Sequence, residues 1–225
     1  MRIDMFLVLS AVLLGAGCIP NMVLPPCSID MQGDVGVLHA SDGVDLTLWK
    51  EADRVFVGCR QPSLQSAIEG IDVTRVRIPR MVGNIKITGI SRCGLAFSNT
   101  LEDIFVEDGV TLDVATFYYD VRLKTIRLPS DLREIPESLF SNCVALETIE
   151  VPLGVVRIGE GAFYGTALSR IVIPDAVTTI GRDAFGCCRK LKLVSLPFNA
   201  CVDSGAFDGC DLSKLLVLRR AEDRR

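Results

Sequence analysis

The apolar positions of this chain recur with a period of 22–23 residues from residue 104 onward. Each copy opens on an alternating apolar–polar–apolar triplet, continues through further apolar positions, and then carries a Phe, as in IVIPDAVTTIGRDAF from Ile171. Copies begin at residues 126, 149, 171 and 194, and two looser copies begin at residues 76 and 104. A fixed period of this length predicts a solenoid, because no single copy can bury its apolar face alone.

Within a copy, the alternation predicts a short strand with Ile171 and Ile173 facing inward and Val172 facing outward. Pro174 ends the strand because proline cannot donate the next ladder hydrogen bond. One large aromatic residue per copy is predicted to form an internal column: Phe97, Phe117, Phe140, Phe163, Phe185 and Phe207. We therefore expect a β-rich fold of about six repeats, with a narrow parallel sheet and little regular helix.

The segment before the repeats has a different pattern. Residues 37–59 alternate apolar and polar positions on both sides of residues 50–54, which predicts a β-hairpin that caps the open end of the core. Residues 61–71 are expected to form one or two helical turns. The resulting division is a signal peptide at 1–17, a lipidated cysteine and tether at 18–36, a hairpin cap at 37–72 and a repeat domain at 73–225.

The first residues are typical of an export signal. The apolar run from Met5 to Ala16 would reach roughly 18 Å as a helix, short of the ~30 Å hydrocarbon core of a bilayer. Small residues precede Cys18, an arrangement that resembles the lipobox of bacterial lipoproteins and predicts acylation of the Cys18 sulfur. Ordinary signal cleavage and an uncleaved segment are the alternatives.

Composition narrows the function classes. The net charge is −4 and the basic residues are scattered, unlike the basic footprint of a nucleic-acid binder. His39 is the sole histidine, and no Walker loop, GxSxG elbow or HExxH motif occurs, so we expect no enzyme, cofactor or metal site.

The nine cysteines fall into groups. Three follow a repeat Phe by three residues and are predicted to be small buried hydrophobes: Cys143, Cys188 and Cys210. Three lie off the buried positions, where a free reactive thiol is expected: Cys93, Cys187 and Cys201. Cys27 and Cys59 flank the cap and would be able to staple it, although spacing cannot fix the pairing.

The repeat motif IxIP…VxxIGxxAFxxCxxL over residues 76–218 resembles the BspA-like branch of the leucine-rich repeats. The resemblance implies a leucine-rich-repeat solenoid, and family members are mostly cell-surface adhesion or host-interaction proteins. We therefore expect a non-catalytic, lipid-anchored protein of the bacterial envelope that binds protein partners such as host matrix proteins. The alternatives are a periplasmic scaffold or homo-oligomer, and a binder of a small apolar ligand.

The outward strand positions divide into two candidate surfaces. The C-terminal copies offer an apolar candidate binding surface: Val172, Leu193, Phe198, Leu215 and Val217. The N-terminal copies offer an alternative charged surface: Arg75, Arg77 and Arg127. An apolar patch on an exposed face is typical of a partner or ligand site, so the C-terminal surface is preferred.

Replacing Cys18 tests the anchor. Cys18→Ala is expected to move the protein into the soluble fraction or to leave it uncleaved, because acyl chains contribute about 0.8 kcal/mol per buried methylene. Detergent phase partitioning and the mass of the mature chain are the measurements. A cleaved variant that partitions like the unmodified protein would contradict lipidation.

Overall fold

The computed structural model of the chain describes residues 28–39, 45–58 and 73–220. All regular secondary-structure elements within these ranges are strands. The predictions for the signal peptide, Cys18, Cys27, Cys59 and the helical turns at 61–71 lie outside the described residues. The described part is a β-solenoid of about six coils, where a coil is one copy of the repeat.

The N-terminal cap is an antiparallel meander. Its strands are β1 (Ser28–Gln32), β2 (Val35–His39), β3 (Asp45–Glu51) and β4 (Arg54–Val57). The expected hairpin is present as β3–β4, with Ala52 in its turn at a φ of +52°. The cap is larger than expected, because β1 lies within the segment assigned to the tether. Its last strand, β4, pairs in parallel with the first coil and joins the cap to the solenoid.

The IxIP strands form the first ladder, which we call the strand face. They are β5 (Arg75–Ile78), β8 (Asp103–Val106), β10 (Thr125–Arg127), β13 (Arg170–Val172), β15 (Leu193–Pro197) and β17 (Leu216–Arg220). The ladder is parallel, as expected, but consists of two three-stranded blocks, β5–β8–β10 and β13–β15–β17. The fourth coil separates them, since residues 147–152 carry no strand.

Each coil also contributes a later strand, and these strands form a second ladder. It comprises β7 (Ile85–Ile90), β9 (Thr111–Leu112), β11 (Glu134–Ile135), β12 (Arg157–Ile158), β14 (Thr179–Ile180) and β16 (Cys201–Val202). In the first coil, β6 (Met81–Val82) pairs with β7 as an extra hairpin. β9 pairs with β7, and β11 begins a new block with β12, so this ladder too is interrupted.

Two repeat glycines allow the coils of the second ladder to approach closely. A Cβ on Gly159 would lie 2.6 Å from the amide nitrogen of Glu137, and a Cβ on Gly181 would lie 2.9 Å from that of Glu160. Neither glycine has a positive φ. These positions therefore require the absence of a side chain rather than a special bend.

The predicted aromatic column is confirmed for five of its six members. Neighbouring rings of Phe117, Phe140, Phe163, Phe185 and Phe207 stack with centroids 5.4–5.5 Å apart and interplanar angles of 4–17°. Four of these rings, from Phe117 to Phe185, are fully buried. Burial of each is expected to contribute roughly 1.5–3 kcal/mol, and offset stacking adds to this.

Phe97 does not belong to the column, contrary to expectation. The Leu95 amide donates to the Thr116 carbonyl at 3.1 Å, the same bond that Phe117 makes to the Leu139 carbonyl in the next coil. Leu95 therefore fills the column position in the first coil and is fully buried. Phe97, two residues later, is half-buried and meets Tyr118 edge-on at 5.4 Å.

The position of Phe97 belongs to a second column, which is defined by backbone conformation. Its members lie in the turns that follow the second-ladder strand of each coil, which we call the turn side. All have a φ between +55° and +75°: Phe97, Tyr119, Asn142, Gly165, Cys187 and Gly209. The sequence does not show this column, because only two of its members are glycines. The left-handed conformation costs other residues about 1–2 kcal/mol, so the surrounding turns must enforce it.

A polar or thiol group that is buried or half-buried lies three residues after each position of the central aromatic column. The thiols of Cys143, Cys188 and Cys210 each donate to the carbonyl oxygen of a Phe in the preceding coil, at 3.0 Å. Burial raises the pKa of all three, to about 11 for Cys188. Cys143 and Cys188 are fully buried, as predicted, and Cys210 is half-buried. These thiols act as small core residues.

Asp120 occupies the same position in the second coil. Its carboxyl is fully buried, and Oδ1 accepts a hydrogen bond from the Ser98 amide at 2.8 Å. Oδ2 has no partner among the described residues. Burial raises the pKa of Asp120 well above its usual value, because the ionised form would lose its hydration.

Truncation of the column tests its contribution to stability. Phe163→Ala and Leu95→Ala are expected to cost about 3–5 and 2–5 kcal/mol of unfolding free energy, whereas Phe97→Ala costs clearly less. Urea titration followed by circular dichroism measures the difference. Equal losses for Phe97→Ala and Leu95→Ala would contradict the assignment of the column.

Asp120 predicts a pH dependence of stability. Its folded pKa is raised, so the unfolded chain releases the proton first, and stability falls as pH rises from about 4 through the folded pKa. Asp120→Asn is expected to remove this loss, and its advantage over the unmodified protein should grow with pH. Unfolding free energies measured across that range test this.

The matched control is Asp108→Asn. Hydrogen bonds from the Ser130 amide and hydroxyl lower the pKa of the exposed Asp108, so its contribution is present above the unfolded pKa and is lost as pH falls. The two variants should therefore differ from the unmodified protein with opposite pH trends. Parallel curves for Asp120→Asn and the unmodified protein would refute the role of burial.

Candidate functional site: the strand face

The N-terminal half of the strand face carries an aromatic ring between two cations. The pairing of β5, β8 and β10 places Arg77, Phe105 and Arg127 side by side in one outward column. The guanidinium carbons of Arg77 and Arg127 lie 5.3 and 5.0 Å from the Phe105 ring centroid. Both contacts are cation–π interactions, and they cover the ring from either side.

Carboxylates neutralise much of this charged half. Arg77 donates to Glu107 through Nε at 3.2 Å and Nη2 at 2.5 Å, and Arg75 donates to Asp103 at 2.8 Å. The structure thus brings together the three predicted arginines, but two of them are engaged in ion pairs within the face. Such pairs contribute little stability at an exposed site, yet they reduce the positive potential offered to a partner.

Charge pairing also extends along the edge of this half. Glu102 accepts from Lys124 Nζ at 2.8 Å and from Arg122 Nη2 at 3.1 Å. The hydrogen bond from Lys124, followed by that from Arg122, holds the pKa of Glu102 below its usual range. The N-terminal half is therefore a network of matched charges.

The C-terminal half is apolar, and one part of its predicted register is wrong. β17 pairs with β15 so that Leu216 lies opposite Leu193 and Leu218 lies opposite Ser195. The sequence pattern predicts Leu215 and Val217 at these outward positions, which is one residue too early in the chain. Val217 instead pairs with Val194, although its side chain is 40% exposed, and Leu215 packs partly against the core. The error arose because the last copy has no IxIP triplet to set the register.

The corrected surface, which we call the apolar patch, spans the last three strands. Its members are Val172, Leu193, Phe198, Leu216 and Leu218. Val172 and Phe198 remain 64% and 61% exposed, and Leu216 and Leu218 remain 55% and 46% exposed. Exposed side chains of this size in one area are typical of a surface that another molecule covers.

Arg220 lies across the border of the apolar patch. Its guanidinium donates to the Ser195 hydroxyl at 2.8 Å, to the Asp175 carboxylate at 2.6 Å and to the Ile173 carbonyl. These bonds link β17 to the two preceding coils, so the patch has a polar rim on this side. A polar rim around an apolar centre is the usual anatomy of a protein interface.

The described ranges contain no cluster of metal-ligating side chains. No group of three or more His, Cys, Asp and Glu side chains in them is placed to hold a metal ion. His39 lies in the cap, where its Nδ1 is 2.5 Å from Asp45. Of the candidate free thiols, Cys201 is exposed, whereas Cys187 donates to the Tyr164 hydroxyl at 3.1 Å.

No helix long and apolar enough to cross a bilayer occurs in the part of the chain that the structure describes.

Comparison with protein families identifies six copies of the BspA type leucine rich repeat region across residues 110–221. Among curated proteins, no sequence matches this chain.

Several solved structures share the fold. A leucine-rich repeat protein from Bacteroides ovatus is 24% identical with a TM-score of 0.60, over 87% of this chain and 46% of its own length. The T. pallidum leucine-rich repeat protein is 22% identical with a TM-score of 0.63, over 78% of this chain and 79% of its own length. This chain thus spans less than half of the Bacteroides ovatus chain.

Proposed function

Because this chain belongs to the BspA type leucine-rich repeat family, we propose that it is a non-catalytic binding protein of the bacterial envelope. It takes protein partners on the apolar patch at the C-terminal half of its strand face. Host matrix proteins are the partner class to test first, and acylated Cys18 is the proposed attachment to the membrane. The observation that carries the proposal is the exposure of four apolar side chains on or directly beside adjacent strands of one sheet: Val172, Phe198, Leu216 and Leu218.

The contrast between the two halves of the strand face supports the choice of surface. In the N-terminal half, the side chains that a partner would need are already engaged with Glu107, Asp103 and Phe105. In the apolar patch, Val172, Phe198 and Leu216 are each more than half exposed. Covering them would remove apolar area from water at about 25 cal/mol per Å².

A second copy of the chain is the alternative occupant of the apolar patch. The outer edge of β17 has no paired strand among the described residues, and an open edge is able to pair with another chain. Self-association through this edge would bury Leu216 and Leu218 together. The oligomeric state therefore has to be measured alongside partner binding.

Charge insertion into the apolar patch tests the proposal. Leu216→Lys combined with Leu218→Lys is expected to weaken binding to responsive matrix proteins by at least about tenfold, because each buried anchor contributes on the order of 1–2 kcal/mol. Surface plasmon resonance against purified matrix proteins measures partner binding, and analytical ultracentrifugation measures self-association.

Two controls separate the readings. Val144→Lys places the same charge on an exposed apolar residue on the turn side and should change neither measurement. Arg77→Glu with Arg127→Glu alters the charged half. If that pair abolishes binding while the leucine variants bind normally and remain folded, the charged half is the working surface.

A further inference from the structure

One backbone hydrogen bond recurs at the end of the second ladder in successive coils. At each junction, the amide that follows the strand donates to a carbonyl of the coil before it. The donors and acceptors are Asp113 to Ile90 at 3.2 Å, Gly159 to Ile135 at 2.8 Å, Gly181 to Ile158 at 2.9 Å and Asp203 to Ile180 at 3.0 Å. The junction between the second and third coils is the exception.

Pro136 stands at the donor position of that junction. Proline has no amide hydrogen, so it cannot donate to the Leu112 carbonyl, and its ring occupies the position that glycine fills at Gly159 and Gly181. No backbone hydrogen bond joins residues 110–113 to residues 133–136 in the described structure. A proline in a central strand position is the expected cause of a broken ladder.

Repeat length does not explain the break. The second coil is one residue shorter than the third between the core residue that precedes the strand and the column Phe. The sixth coil is shorter than the fifth in the same way, yet β14 and β16 pair. The proline is therefore the distinguishing feature of this junction.

The break opens a bounded slot. A groove of 520 Å³ lies between residues 109–114 and residues 131–137, with Arg157 beside it. One end is closed by the Gly109 amide, which donates to Asp131 at 3.0 Å. At the other end, ladder pairing resumes where the Ala115 amide donates to the Glu137 carbonyl at 2.9 Å.

The slot is lined by more carboxylates than cations, with four carboxylates against the two guanidinium groups of Arg133 and Arg157. Three of the four carboxylates already accept a hydrogen bond: Asp131 from the Gly109 amide, Glu134 from Arg157, and Asp113 Oδ1 from the Val114 amide at 2.7 Å. Arg133 turns toward the Gly154 carbonyl of the next coil at 3.4 Å. Neither Asp113 nor Glu137 forms an ion pair within the described structure, so both charges remain available to a cation.

Elsewhere in this chain, an arginine side chain donates to open backbone carbonyls of this kind. In the sixth coil, where no further second-ladder strand follows in the described structure, Arg219 Nη1 donates to the carbonyls of Phe198 and Ala200 at 2.8 and 3.1 Å. Ala200 occupies the repeat position that Val110 occupies beside the slot. A guanidinium thus replaces the missing backbone donors at one open junction.

We propose that the slot binds the side chain of an arginine in an extended segment of a partner protein. The planar guanidinium donates to the open Leu112 carbonyl and to the carboxylates of Asp113 and Glu137. Five donors in a fixed plane suit this set of acceptors better than the single ammonium of lysine. The slot lies on the second ladder, so this recognition is additional to binding on the strand face and does not depend on it.

Fluorescence anisotropy with a labelled pentapeptide, acetyl-Gly-Ala-Arg-Ala-Gly-amide, tests the proposal on the full chain. The arginine peptide is expected to bind at least about tenfold more tightly than its glutamine counterpart. Asp113→Asn combined with Glu137→Gln should remove this preference, because it keeps the shape of the slot and deletes both charges. Circular dichroism confirms that the fold is retained.

Pro136→Gly is the sharper variant. It restores the amide donor, so the ladder is expected to close, the amide at position 136 to become protected from hydrogen exchange, and arginine binding to be lost. Pro174→Gly, at a proline that lies outside the slot, is the matched control and should bind normally.

Equal affinity for the two peptides, or no detectable binding of either, would overturn the proposal. So would unchanged arginine binding in a Pro136→Gly variant whose amide is protected. If Pro136→Gly does not fold, the double carboxylate variant alone decides, because its outcome does not require a change of backbone.

Discussion

The backbone hydrogen bonding between coils is the constraint on which the rest of this structure depends. A coil of two- to six-residue strands and tight turns cannot satisfy its own amides and carbonyls, so each coil must exchange hydrogen bonds with the coils on either side of it. The recurrent bonds on the second ladder and the turn side meet this need at 2.7–3.3 Å. This bonding determines which residue types recur in each copy. Glycine recurs where two backbones approach closely, and Phe recurs where a side chain must fill the centre of the coil.

The turn side shows how far the requirement overrides local preference. Phe97, Tyr119 and Asn142 all adopt the left-handed conformation at equivalent positions, although only asparagine tolerates it readily. Each is fixed by an amide that donates to the next coil at 2.7–2.8 Å. Repetition over successive coils thus imposes a conformation that a single turn of this sequence would avoid.

The sequence predicted what depends on repetition and missed what depends on a departure from it. The period, the strand triplets and the ring column from Phe117 to Phe207 follow from recurring residue types. Phe97 was misplaced because the Phe in that copy follows Leu95, which takes the central position. The final strand was placed one residue too early, since hydrophobic residues at 215–218 give no alternation to fix the register. Pro136 was visible as a change from Ile-Gly to Ile-Pro, but its consequence needed the neighbouring coil.

A break in one ladder is tolerable because three sides hold each junction. Between the second and third coils, the strand face remains paired through β8 and β10, and Phe117 stacks on Phe140 at 5.5 Å. The turn side also stays joined, with the Phe117 amide 3.1 Å from the Leu139 carbonyl. The cost of the missing donor is therefore confined to one side, where water or a ligand can satisfy the exposed acceptors. A solenoid can in this way carry a recognition site as a local defect, whereas the same proline in a single-sheet core would disturb the whole fold.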